Sequence, residues 1–317
     1  MPIRVLDMFC GGGGSSYGAR MAGAEIACGI DCWDLAVQVY SDNFAGRCVQ
    51  EEVGESSDPG RVSSYGPFDM VLASPECTSH TCARGNRPPS DKSRMTAMHV
   101  LKYLRYFRPR WAVVENVIHM KSWERYQELL ASLEALGYHV RPQVLDASLF
   151  GVPQKRNRLF LLCDRERMPE AVSVPDTVIP AAKDILDPPG SWKSRPLAEC
   201  VPATRRKASC GIRILGPGQD FLVVYYGSDA AGGWQPLDRP LRTLTTLDRF
   251  GLVHWEEGVP FLRMLQVPEL KRAMGLGNDF ILDKGSRRDR VKICGNGVCP
   301  PVMRHIVCTL AADQLGA

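Results

Sequence analysis

A cysteine stands directly after a short apolar run in the segment Phe68-Asp69-Met70-Val71-Leu72-Ala73-Ser74-Pro75-Glu76-Cys77. The apolar part predicts a buried strand. Cys77 is therefore expected just beyond the carboxyl end of that strand, where open α/β sheets gather ligands and reacting groups. Polar residues surround the thiol, and a nucleophile would be useful in such a place. A cysteine after a buried strand is also commonly a small core hydrophobe, so this segment alone leaves both interpretations open.

Two further groups of polar residues lie next to predicted strands. Glu115 follows the apolar run from Trp111 to Val114, which places a second titratable side chain at a strand's carboxyl end. A carboxylic acid there can give a proton to a reacting group. Arg156 and Arg158 lie in Gln154-Lys155-Arg156-Asn157-Arg158, between two predicted strands. By themselves, the two arginines would suit a solvated loop.

A glycine-rich turn near the beginning of the chain has features of a nucleotide-type binding site. Residues 3–9 predict a first buried strand, Gly11–Gly14 a turn, and residues 17–24 a helix. Glycines let the backbone approach a ligand closely, and a helix N-terminus presents free N–H groups. Asp31 closes the second predicted strand about 20 residues after the turn, the usual position of an acceptor for ribose hydroxyls. The spaced dinucleotide pattern is absent, and a glycine cluster can also be only a tight turn.

Length, composition and cysteine pattern limit the classes of protein that fit this chain. Its 317 residues are 44% hydrophobic and 23% charged, which is ordinary for a globular protein with one large domain or two smaller ones. We see no targeting segment and no apolar run of the ~20 residues that span a bilayer, and we expect a cytoplasmic protein without a membrane partner. The 12 cysteines include no Cys-x-x-Cys pair, and we expect reduced thiols and no metal.

The chain has a formal net charge of +4, and its charged residues are unevenly distributed along the sequence. Residues 1–150 carry 15 basic and 17 acidic side chains, whereas residues 151–317 carry 24 basic and 18 acidic ones. A basic second half favours a polyanionic partner, although solvated surface lysines and arginines would explain it as well. We find no oligomerisation signature and expect a monomer.

Strand and helix patterns alternate through the first half of the chain. They continue to about residue 165 and predict an α/β fold with a Rossmann-like, doubly wound, mostly parallel sheet. Beyond that point Pro and Gly become frequent, and no regular helix is predicted before about Pro268. We therefore divide the chain into a first domain at 1–165, a smaller irregular β-rich domain at 166–260, and a C-terminal segment at 261–317 that returns to the first domain.

Taken together and in order, the motifs resemble those of the C5-cytosine-specific DNA methyltransferases. The segments that carry the resemblance are Asp7-Met8-Phe9-Cys10-Gly11-Gly12-Gly13-Gly14, Asp31, Ser74-Pro75-Glu76-Cys77, Glu115-Asn116-Val117, Gln154-x-Arg156-x-Arg158, Arg263–Arg272 and Gly295-Asn296-Gly297-Val298. The resemblance implies a class I methyltransferase fold, S-adenosyl-L-methionine as the cofactor and double-stranded DNA as the partner. Residues 1–165 would be the catalytic domain and residues 166–260 the target-recognition domain. A bacterial or phage-encoded enzyme, as in restriction-modification, would fit.

The resemblance also assigns the chemistry. Cytosine C5 is too weak a nucleophile to take a methyl group from a sulfonium, but a thiolate that adds to C6 turns the ring into an enamine whose C5 can attack. Cys77 would be this nucleophile, and Glu115 would be the acid at N3. Arg158, with Arg156, would hold the cytosine carbonyl and a flanking phosphate, while Asn116 would organise the Glu115 loop. Because the target atom is inaccessible in a stacked duplex, the base must be flipped out.

Binding residues follow from the same resemblance. Those expected to bind the cofactor are Asp7, Phe9, Cys10, Gly11, Gly13, Asp31, Cys32, Glu52, Pro75 and Asn296. Those expected to contact DNA are Arg84, Arg87, Gln154, Arg242 and Thr243. Arg84 and Arg87 belong to a polar loop at 83–94 that would close on DNA, although an ordinary surface loop would look similar. Glu52 could accept an adenine amino group or be a solvated charge.

Departures from the family pattern leave alternatives open. Glu76 and Thr78 flank Cys77 where Pro and Gln are usual, and a carboxylate close to a thiol raises the pKa of that thiol. Glu76 should therefore point away, towards the cofactor, or pair with an arginine. An RNA, particularly tRNA, cytosine-C5 methyltransferase has the same motifs, but the long variable region before Arg263 favours DNA. The Cys77 and Glu115 pair argues against a non-catalytic DNA-binding relative. A nicotinamide-dependent dehydrogenase shares the glycine turn but gives no account of Pro-Glu-Cys.

Overall fold

The computed structural model of the chain describes residues 2–76, 91–227 and 232–315. These residues form a large mixed sheet with helices on both faces and a smaller antiparallel sheet. The large sheet is built from the first half of the chain, and the smaller one from residues 195–264.

Seven strands form the large sheet, in the order β3-β2-β1-β4-β5-β7-β6. Their bounds are β1 Arg4–Met8, β2 Glu25–Asp31, β3 Cys48–Gln50, β4 Met70–Ala73, β5 Trp111–Asn116, β6 His139–Asp146 and β7 Asn157–Asp164. Strands β1 to β5 pair in parallel, whereas β7 is antiparallel to both β5 and β6. The chain starts in the middle of the sheet, moves to the β3 edge and then returns to β4 beside β1. The carboxyl ends of β1 and β4 are therefore neighbours at the point where the strand order reverses, a common ligand site.

Helices cover both faces of this sheet. The first four are α1 Gly14–Met21, α2 Asp34–Asn43, α3 Asp91–Phe107 and α4 Tyr126–Ala135. Successive residues of β4 face opposite ways: Leu72 packs in the same buried cluster as Tyr40 of α2, and Val71 packs in the same cluster as Leu104 of α3. A strand buried on both faces is apolar throughout, as residues 70–73 are. The prediction of a doubly wound α/β sheet is confirmed.

The C-terminal helices pack against the first domain. They are α6 Val267–Ala273, α7 Arg287–Asn296, α8 Pro300–Leu310 and α9 Ala312–Leu315. Helix α8 lies on α1 so closely that a Cβ at Gly18 would be 2.5 Å from the carbonyl oxygen of Pro300. This contact brings the segment between α7 and α8 next to the glycine turn that precedes α1.

Five short strands form the second sheet, in the order β10-β9-β11-β12-β8, with antiparallel pairing throughout. Their bounds are β8 Arg195–Pro196, β9 Phe221–Val224, β10 Trp234–Pro236, β11 Phe250–Glu256 and β12 Val259–Met264. A helix, α5 Pro202–Leu215, packs on β9 and β10. The prediction that this region contains no regular helix is therefore wrong. The buried residues of α5 are all small: Thr204, Ala208 and Gly211. Residues of this kind do not give the clear apolar periodicity from which a helix is predicted.

A buried ion pair joins the second sheet to the C-terminal helices. Arg263, on β12, donates through Nη1 and Nη2 to Glu269 of α6, at 2.8 and 2.7 Å. Glu269 also accepts from the backbone N–H groups of Gln266, at 2.6 Å, and Asp187, at 3.0 Å. A carboxylate removed from water requires partners of this kind, and these hold the start of α6 at the end of β12.

Short 3₁₀ helices complete the secondary structure at Pro59–Tyr65, Ile118–Ser122, Ala147–Phe150, Ala182–Ile185 and Leu197–Glu199. None of the helices in the described ranges is both long and apolar enough to cross a membrane. Within the same ranges, no group of three or more His, Cys, Asp or Glu side chains is arranged to hold a metal ion.

Candidate active site

A side-chain hydrogen bond ties together the adjacent carboxyl ends of β4 and β5. Asn116 Nδ2 donates to the carbonyl oxygen of Pro75 at 3.1 Å, and both residues are buried. Pro75 closely precedes Cys77, so the chain enters the cysteine segment from a point fixed against Asn116 and its neighbour Glu115. Cys77 itself lies outside the described residues.

Glu115 and Arg158 form an ion pair beside these strand ends. Arg158 Nε lies 3.1 Å from Glu115 Oε1, because β5 and β7 are paired and present the two side chains to each other. Glu115 is only 7% exposed. Burial raises the pKa of the Glu115 carboxyl, and the guanidinium groups of Arg158 and Arg156 act against that rise. The site thus holds a buried carboxyl group whose proton is retained to higher pH than that of an exposed glutamate.

Arg156, predicted to hold the target base or a phosphate, donates here to backbone carbonyl groups. Its side chain is 3% exposed. Nη1 donates to the oxygen of Leu244 at 3.1 Å, and Nη2 donates to the oxygens of Gly295 at 2.8 Å and Gly297 at 3.0 Å. Arg156 therefore joins the loop before β7 to the segment before β11 and to the end of α7. Of the two predicted arginines, Arg158 is the one that contacts Glu115.

Gln154, predicted to contact DNA, is fully buried. Its Nε2 donates to the oxygen of Ala273 at 2.9 Å, and its Oε1 accepts from the backbone N–H of Leu244 at 2.8 Å. Both ends of the amide are therefore engaged inside the protein, and this arrangement leaves no polar atom of Gln154 facing solvent. Its partners are far away in sequence, which is why the motif alone did not indicate this position.

Residues 241–246, which we call the strap, run alongside the loop that carries Gln154 and Arg156. The Lys155 N–H donates to the oxygen of Leu241 at 2.7 Å, and the Leu241 N–H donates to the oxygen of Pro153 at 2.9 Å. Thr243 Oγ1 adds a bond to the Lys155 oxygen at 2.8 Å. The strap is thereby fixed to the loop that leads into Arg158.

The remaining predicted DNA contacts differ in where they lie. Thr243 uses its hydroxyl to hold the strap in place. Arg242 is half-buried, and its Nη2 donates to the oxygen of Trp234 at 3.3 Å. Arg84 and Arg87 lie outside the described residues, in the stretch that also contains Cys77.

The glycine turn lies at the carboxyl ends of β1 and β2. Phe9, Gly11 and Gly13 have positive φ angles of 55°, 53° and 96°. The Gly11 N–H donates to Asp31 Oδ2 at 2.8 Å, and the Trp33 N–H donates to Asp31 Oδ1 at 2.9 Å. Asp31 thus holds the turn, and each oxygen can still accept a further bond. A Cβ at Gly11 would meet no atom within 4 Å, so the turn borders open space.

Asp7 is buried under this turn and has one oxygen without a partner. Oδ2 accepts from the backbone N–H of Ser16 at 3.1 Å and from its hydroxyl at 2.7 Å. Among the described residues, Oδ1 has no hydrogen-bond partner. Burial raises the pKa of Asp7 to about 7. Ser16 was not predicted as a site residue, and its only signal in the sequence is its position at the start of α1.

Acidic side chains surround Cys32 at the same edge of the sheet. Burial raises the pKa of the Cys32 thiol, and the carboxylates of Asp31, Glu52 and Glu76 raise it further. Cys32, Glu52 and Glu76 are all exposed. Glu76 is thus close enough to Cys32 for its charge to act on that thiol.

Cys10 and Asn296, both predicted to bind the cofactor, differ in exposure. Cys10 is buried, with its Sγ 3.7 Å from Cys48 Sγ, and burial raises its pKa well above the ordinary value. Asn296 is exposed at the end of α7. The backbone just beyond Asn296 touches the turn, because a Cβ at Gly14 would lie 2.3 Å from the oxygen of Val298.

We expect Gly14→Ala to lower the free energy of unfolding by about 1–3 kcal/mol, since the added methyl would overlap a backbone oxygen that only a shift of the main chain can relieve. Denaturant unfolding measures the change. Gly54→Ala is the matched control, because its nearest neighbour is 4.0 Å away. Equal stability of the two variants would contradict the close approach of α1 to the C-terminal segment.

Comparison with known proteins decides the family. The family model for C-5 cytosine-specific DNA methylases matches residues 3–200, which is more than half of the chain. The chain belongs to this family. The matched range contains the glycine turn, Asp31, Cys77 and the Glu115–Arg158 pair, so the methylase motifs coincide with the strand ends described above.

Individual methylases of the family match about half of the chain. The type II methyltransferase M.HindV of Haemophilus influenzae is 30% identical over 161 residues, which cover 50% of this chain and 52% of the relative. DNA (cytosine-5)-methyltransferase 1 of Mus musculus is 31% identical over 178 residues, covering 50% of this chain and 11% of that protein. The chain thus spans about half the length of M.HindV and a small part of the mouse enzyme.

Solved methyltransferase structures share the fold over nearly the whole chain. The S. pombe Dnmt2 methyltransferase superposes with a TM-score of 0.72 at 17% identity, covering 99% of each chain. The Entamoeba histolytica methyltransferase EhMeth superposes with a TM-score of 0.71 at 16% identity, also covering 99% of each chain. The methylase fold therefore includes the second sheet and the C-terminal helices, beyond the part matched by the family model.

Proposed function

We propose that this protein transfers a methyl group from S-adenosyl-L-methionine to C5 of cytosine in double-stranded DNA. Membership of the methylase family supports the reaction class. The observation that carries the proposal is the cluster at the ends of β4 and β5, where Asn116 bonds to Pro75, two residues before Cys77 in the sequence, and Glu115 pairs with Arg158. Addition to a pyrimidine ring requires a nucleophile and an acid that act together, and we infer these roles for Cys77 and Glu115.

In the proposed mechanism, Cys77 adds as a thiolate to C6 of a flipped cytosine. A sulfur–carbon bond forms, the ring electrons shift towards N3, and Glu115 gives N3 its proton. Arg158 keeps Glu115 in position and supplies a donor for the cytosine carbonyl. C5 is then nucleophilic enough to take the methyl group, and the electron pair of the broken sulfur–methyl bond stays on the sulfur that carried the methyl. The N3 proton returns to Glu115, a solvent water takes the C5 proton, and the electrons of that C–H bond re-form the C5–C6 double bond as the Cys77 thiolate leaves.

The glycine turn has features that fit S-adenosyl-L-methionine, which supplies an electrophilic methyl group when bound. The unpartnered Oδ1 of Asp7 would accept from its ammonium group, and Asp31 would accept from its ribose hydroxyls. Gly11 borders the open space that a ligand needs. The other residues proposed around the cofactor, by resemblance and by their place at the same edge, are Phe9, Cys10, Gly13, Cys32, Glu52, Pro75 and Asn296.

Asp31→Asn is expected to weaken cofactor binding by about tenfold or more, because a hydrogen bond to a charged group contributes roughly 1.5–3 kcal/mol. Titration calorimetry with S-adenosyl-L-methionine measures the affinity. Asp34→Asn serves as the control, because Asp34 is exposed on the nearby helix α2 and its substitution removes the same negative charge. An unchanged affinity in Asp31→Asn would remove Asp31 from the cofactor site.

The proposed function is tested by incubating the protein with methyl-labelled S-adenosyl-L-methionine and three substrates: duplex DNA, single-stranded DNA and RNA. Digestion to nucleosides then identifies the labelled base. We expect 5-methylcytosine from the duplex and none from a Cys77→Ala variant. Label confined to RNA would favour the RNA cytosine methyltransferase instead. No label in any substrate would favour a non-catalytic relative.

A further inference from the structure

A chain of three buried polar groups lies beneath the glycine turn. The Ser16 hydroxyl donates to Asp7 Oδ2 at 2.7 Å, and Ser16 Oγ lies 2.7 Å from Tyr40 Oη. A serine hydroxyl has only one hydrogen. Because the hydrogen of Ser16 goes to Asp7, the Tyr40 hydroxyl must donate to Ser16 Oγ. The chain therefore runs in one direction, from Tyr40 through Ser16 to the carboxylate, and all three residues are buried.

Tyr40 is fixed by packing at the far end of this chain. Its ring fills the space left by Gly29, where a Cβ would be 2.5 Å from Tyr40 Cζ. It also packs against Phe44, with the ring centroids 4.5 Å apart. A phenylalanine would fill the same space, and a buried hydroxyl is favourable only if it is hydrogen-bonded. The tyrosine oxygen is thus explained by its bond to Ser16 rather than by packing.

The other end of the chain is a carboxylate with one oxygen unused. Among the described residues, Asp7 Oδ1 has no hydrogen-bond partner. The titratable groups that act on Asp7 from the surrounding elements are Asp31 at the end of β2, Cys10 beyond β1 and Tyr40 of α2, and Cys48 of β3 in turn faces Cys10. All four are neutral or negative, and no ion pair to Asp7 occurs in the described ranges. An incoming cation would supply the charge that these groups lack.

Two opposing influences act on the charge of this carboxyl group. Burial raises the pKa of Asp7 to about 7, whereas the two hydrogen bonds from Ser16 favour the charged form. A donor to Ser16 Oγ polarises the Ser16 hydroxyl and strengthens the bond that this hydroxyl donates. The Tyr40 hydroxyl therefore favours the Asp7 carboxylate as well, from one step further away.

We propose that Ser16 and Tyr40 are positioning residues for the cofactor, because their hydroxyl chain holds the Asp7 carboxylate ready to accept the ammonium group of S-adenosyl-L-methionine. The inference rests on the proposed function and adds to it two residues that the motifs did not indicate. Neither hydroxyl has to touch the cofactor, since both act through Asp7.

The proposal predicts how cofactor affinity depends on pH. The ammonium group needs the charged form of Asp7, so affinity should fall as the pH drops through the pKa of Asp7. Tyr40→Phe removes only the hydroxyl oxygen and should move this fall upwards by about 0.5–1 pH unit, the effect of one net hydrogen bond. At acid pH the variant should therefore bind about three- to tenfold more weakly than wild type, and the two affinities should converge as the pH rises. Ser16→Ala should show the same trend with a larger difference, because it removes the direct link to Asp7.

Titration calorimetry at a series of pH values on both sides of neutrality measures the affinity of full-length wild type and the two variants for S-adenosyl-L-methionine. Tyr138→Phe is the matched control, because Tyr138 is also buried and donates to the oxygen of Pro109 at 2.7 Å, next to β6 rather than the glycine turn. A second ligand, 5′-methylthioadenosine, keeps the adenosine and the sulfur of the cofactor but lacks its ammonium group. Thermal unfolding verifies that each variant is folded.

For S-adenosyl-L-methionine we expect a difference from wild type that shrinks with rising pH. We expect no difference for 5′-methylthioadenosine, and none for Tyr138→Phe with either ligand. A loss of affinity that is equal at every pH, or that extends to 5′-methylthioadenosine, would indicate only a packing role and would overturn the proposal. Wild-type affinity at every pH in both Tyr40→Phe and Ser16→Ala would overturn it as well.

The two proposals can fail separately. Protein that methylates duplex DNA while its variants show no pH-dependent loss of affinity contradicts only the roles of Ser16 and Tyr40. Protein that shows the pH-dependent loss but transfers no methyl group to duplex DNA contradicts only the proposed function. A wild type that does not bind S-adenosyl-L-methionine at any pH contradicts both.

Discussion

Glu115→Gln is expected to lower kcat for methyl transfer by about 10²–10⁴-fold, the usual contribution of a positioned general acid. Glutamine keeps the size of the side chain and can donate a hydrogen bond to N3, but it cannot transfer a proton there. The affinity for S-adenosyl-L-methionine should remain that of wild type, because Glu115 lies at the end of β5 rather than at the glycine turn. Steady-state kinetics on duplex DNA, with calorimetry for the cofactor, measure both quantities.

Glu134→Gln is the matched control, because Glu134 is exposed on α4 and its substitution removes the same carboxylate charge. It should leave kcat unchanged. If Glu115→Gln retained wild-type kcat, the acid at N3 would have to be another group, and the Glu115–Arg158 pair would be only a structural ion pair. A loss of cofactor affinity in Glu115→Gln would indicate that the substitution disturbs more than the acid.

The pH dependence of kcat gives a second signature of the same group. Glu115 must be protonated before it can give a proton to N3, so activity should fall as the pH rises through the pKa of Glu115. Because burial raises this pKa, the fall should come at a higher pH than the titration of an exposed glutamate. The alkaline limb should be absent from the pH profile of Glu115→Gln. An alkaline limb of unchanged position in Glu115→Gln would assign it to a different group.

Arg156→Met is expected to lower the free energy of unfolding by at least about 3 kcal/mol, since each buried polar group left without a partner costs about 1–3 kcal/mol. The methionine fills similar space but leaves the oxygens of Leu244, Gly295 and Gly297 without their donor. Methyl transfer should fall as well, because these oxygens lie in the strap and at the end of α7. Denaturant unfolding and steady-state kinetics measure the two effects.

Two variants separate this structural role from a direct contact with DNA. Arg105→Met removes an exposed arginine of α3 and should leave stability unchanged. Arg156→Lys keeps the charge but offers fewer donors in a fixed geometry, so its stability should fall between wild type and Arg156→Met. If Arg156→Met kept wild-type stability and lost only affinity for DNA, this would contradict the structural role. It would support the role first predicted from the motif, in which Arg156 holds the target base or a phosphate.

The positions of the strand-end residues could be predicted from sequence because they depend on local pattern. Short apolar runs mark β1, β2, β4 and β5, and a polar residue after each run must lie at the carboxyl edge of a parallel sheet. Asp31 and Glu115 were found in this way. Family resemblance then supplied chemical roles that no periodicity contains, such as a nucleophile at Cys77.

The contacts of Gln154 and Arg156 could not be predicted in the same way. A Gln-x-Arg-x-Arg motif gives residue types that suit a solvated loop, a DNA contact or a buried clamp equally well. The choice depends on Leu244, Ala273 and Gly295, which reach these side chains only after the chain has formed the second sheet and folded back. Burial of a charged side chain is decided by such distant acceptors rather than by neighbours in sequence.

Helices α5 and α7 were missed for a related reason. The buried face of α5 contains Thr, Ala and Gly, and α7 is rich in Arg, Lys and Asp, so neither shows a clear apolar stripe. Both are fixed largely by what they pack against, β9 and β10 for α5 and α6 for α7. Packing of this kind outweighs local propensity.

Covalent trapping tests the central claim most directly. The protein is incubated with S-adenosyl-L-methionine and a duplex that carries 5-fluorocytosine at every cytosine, and the products are separated under denaturing conditions. The fluorine cannot leave as a proton does, so wild type should remain joined to the DNA through Cys77, and Cys77→Ala should not. A wild type that methylates ordinary duplex DNA but forms no such complex, or a Cys77→Ala variant that is trapped equally well, would contradict the account.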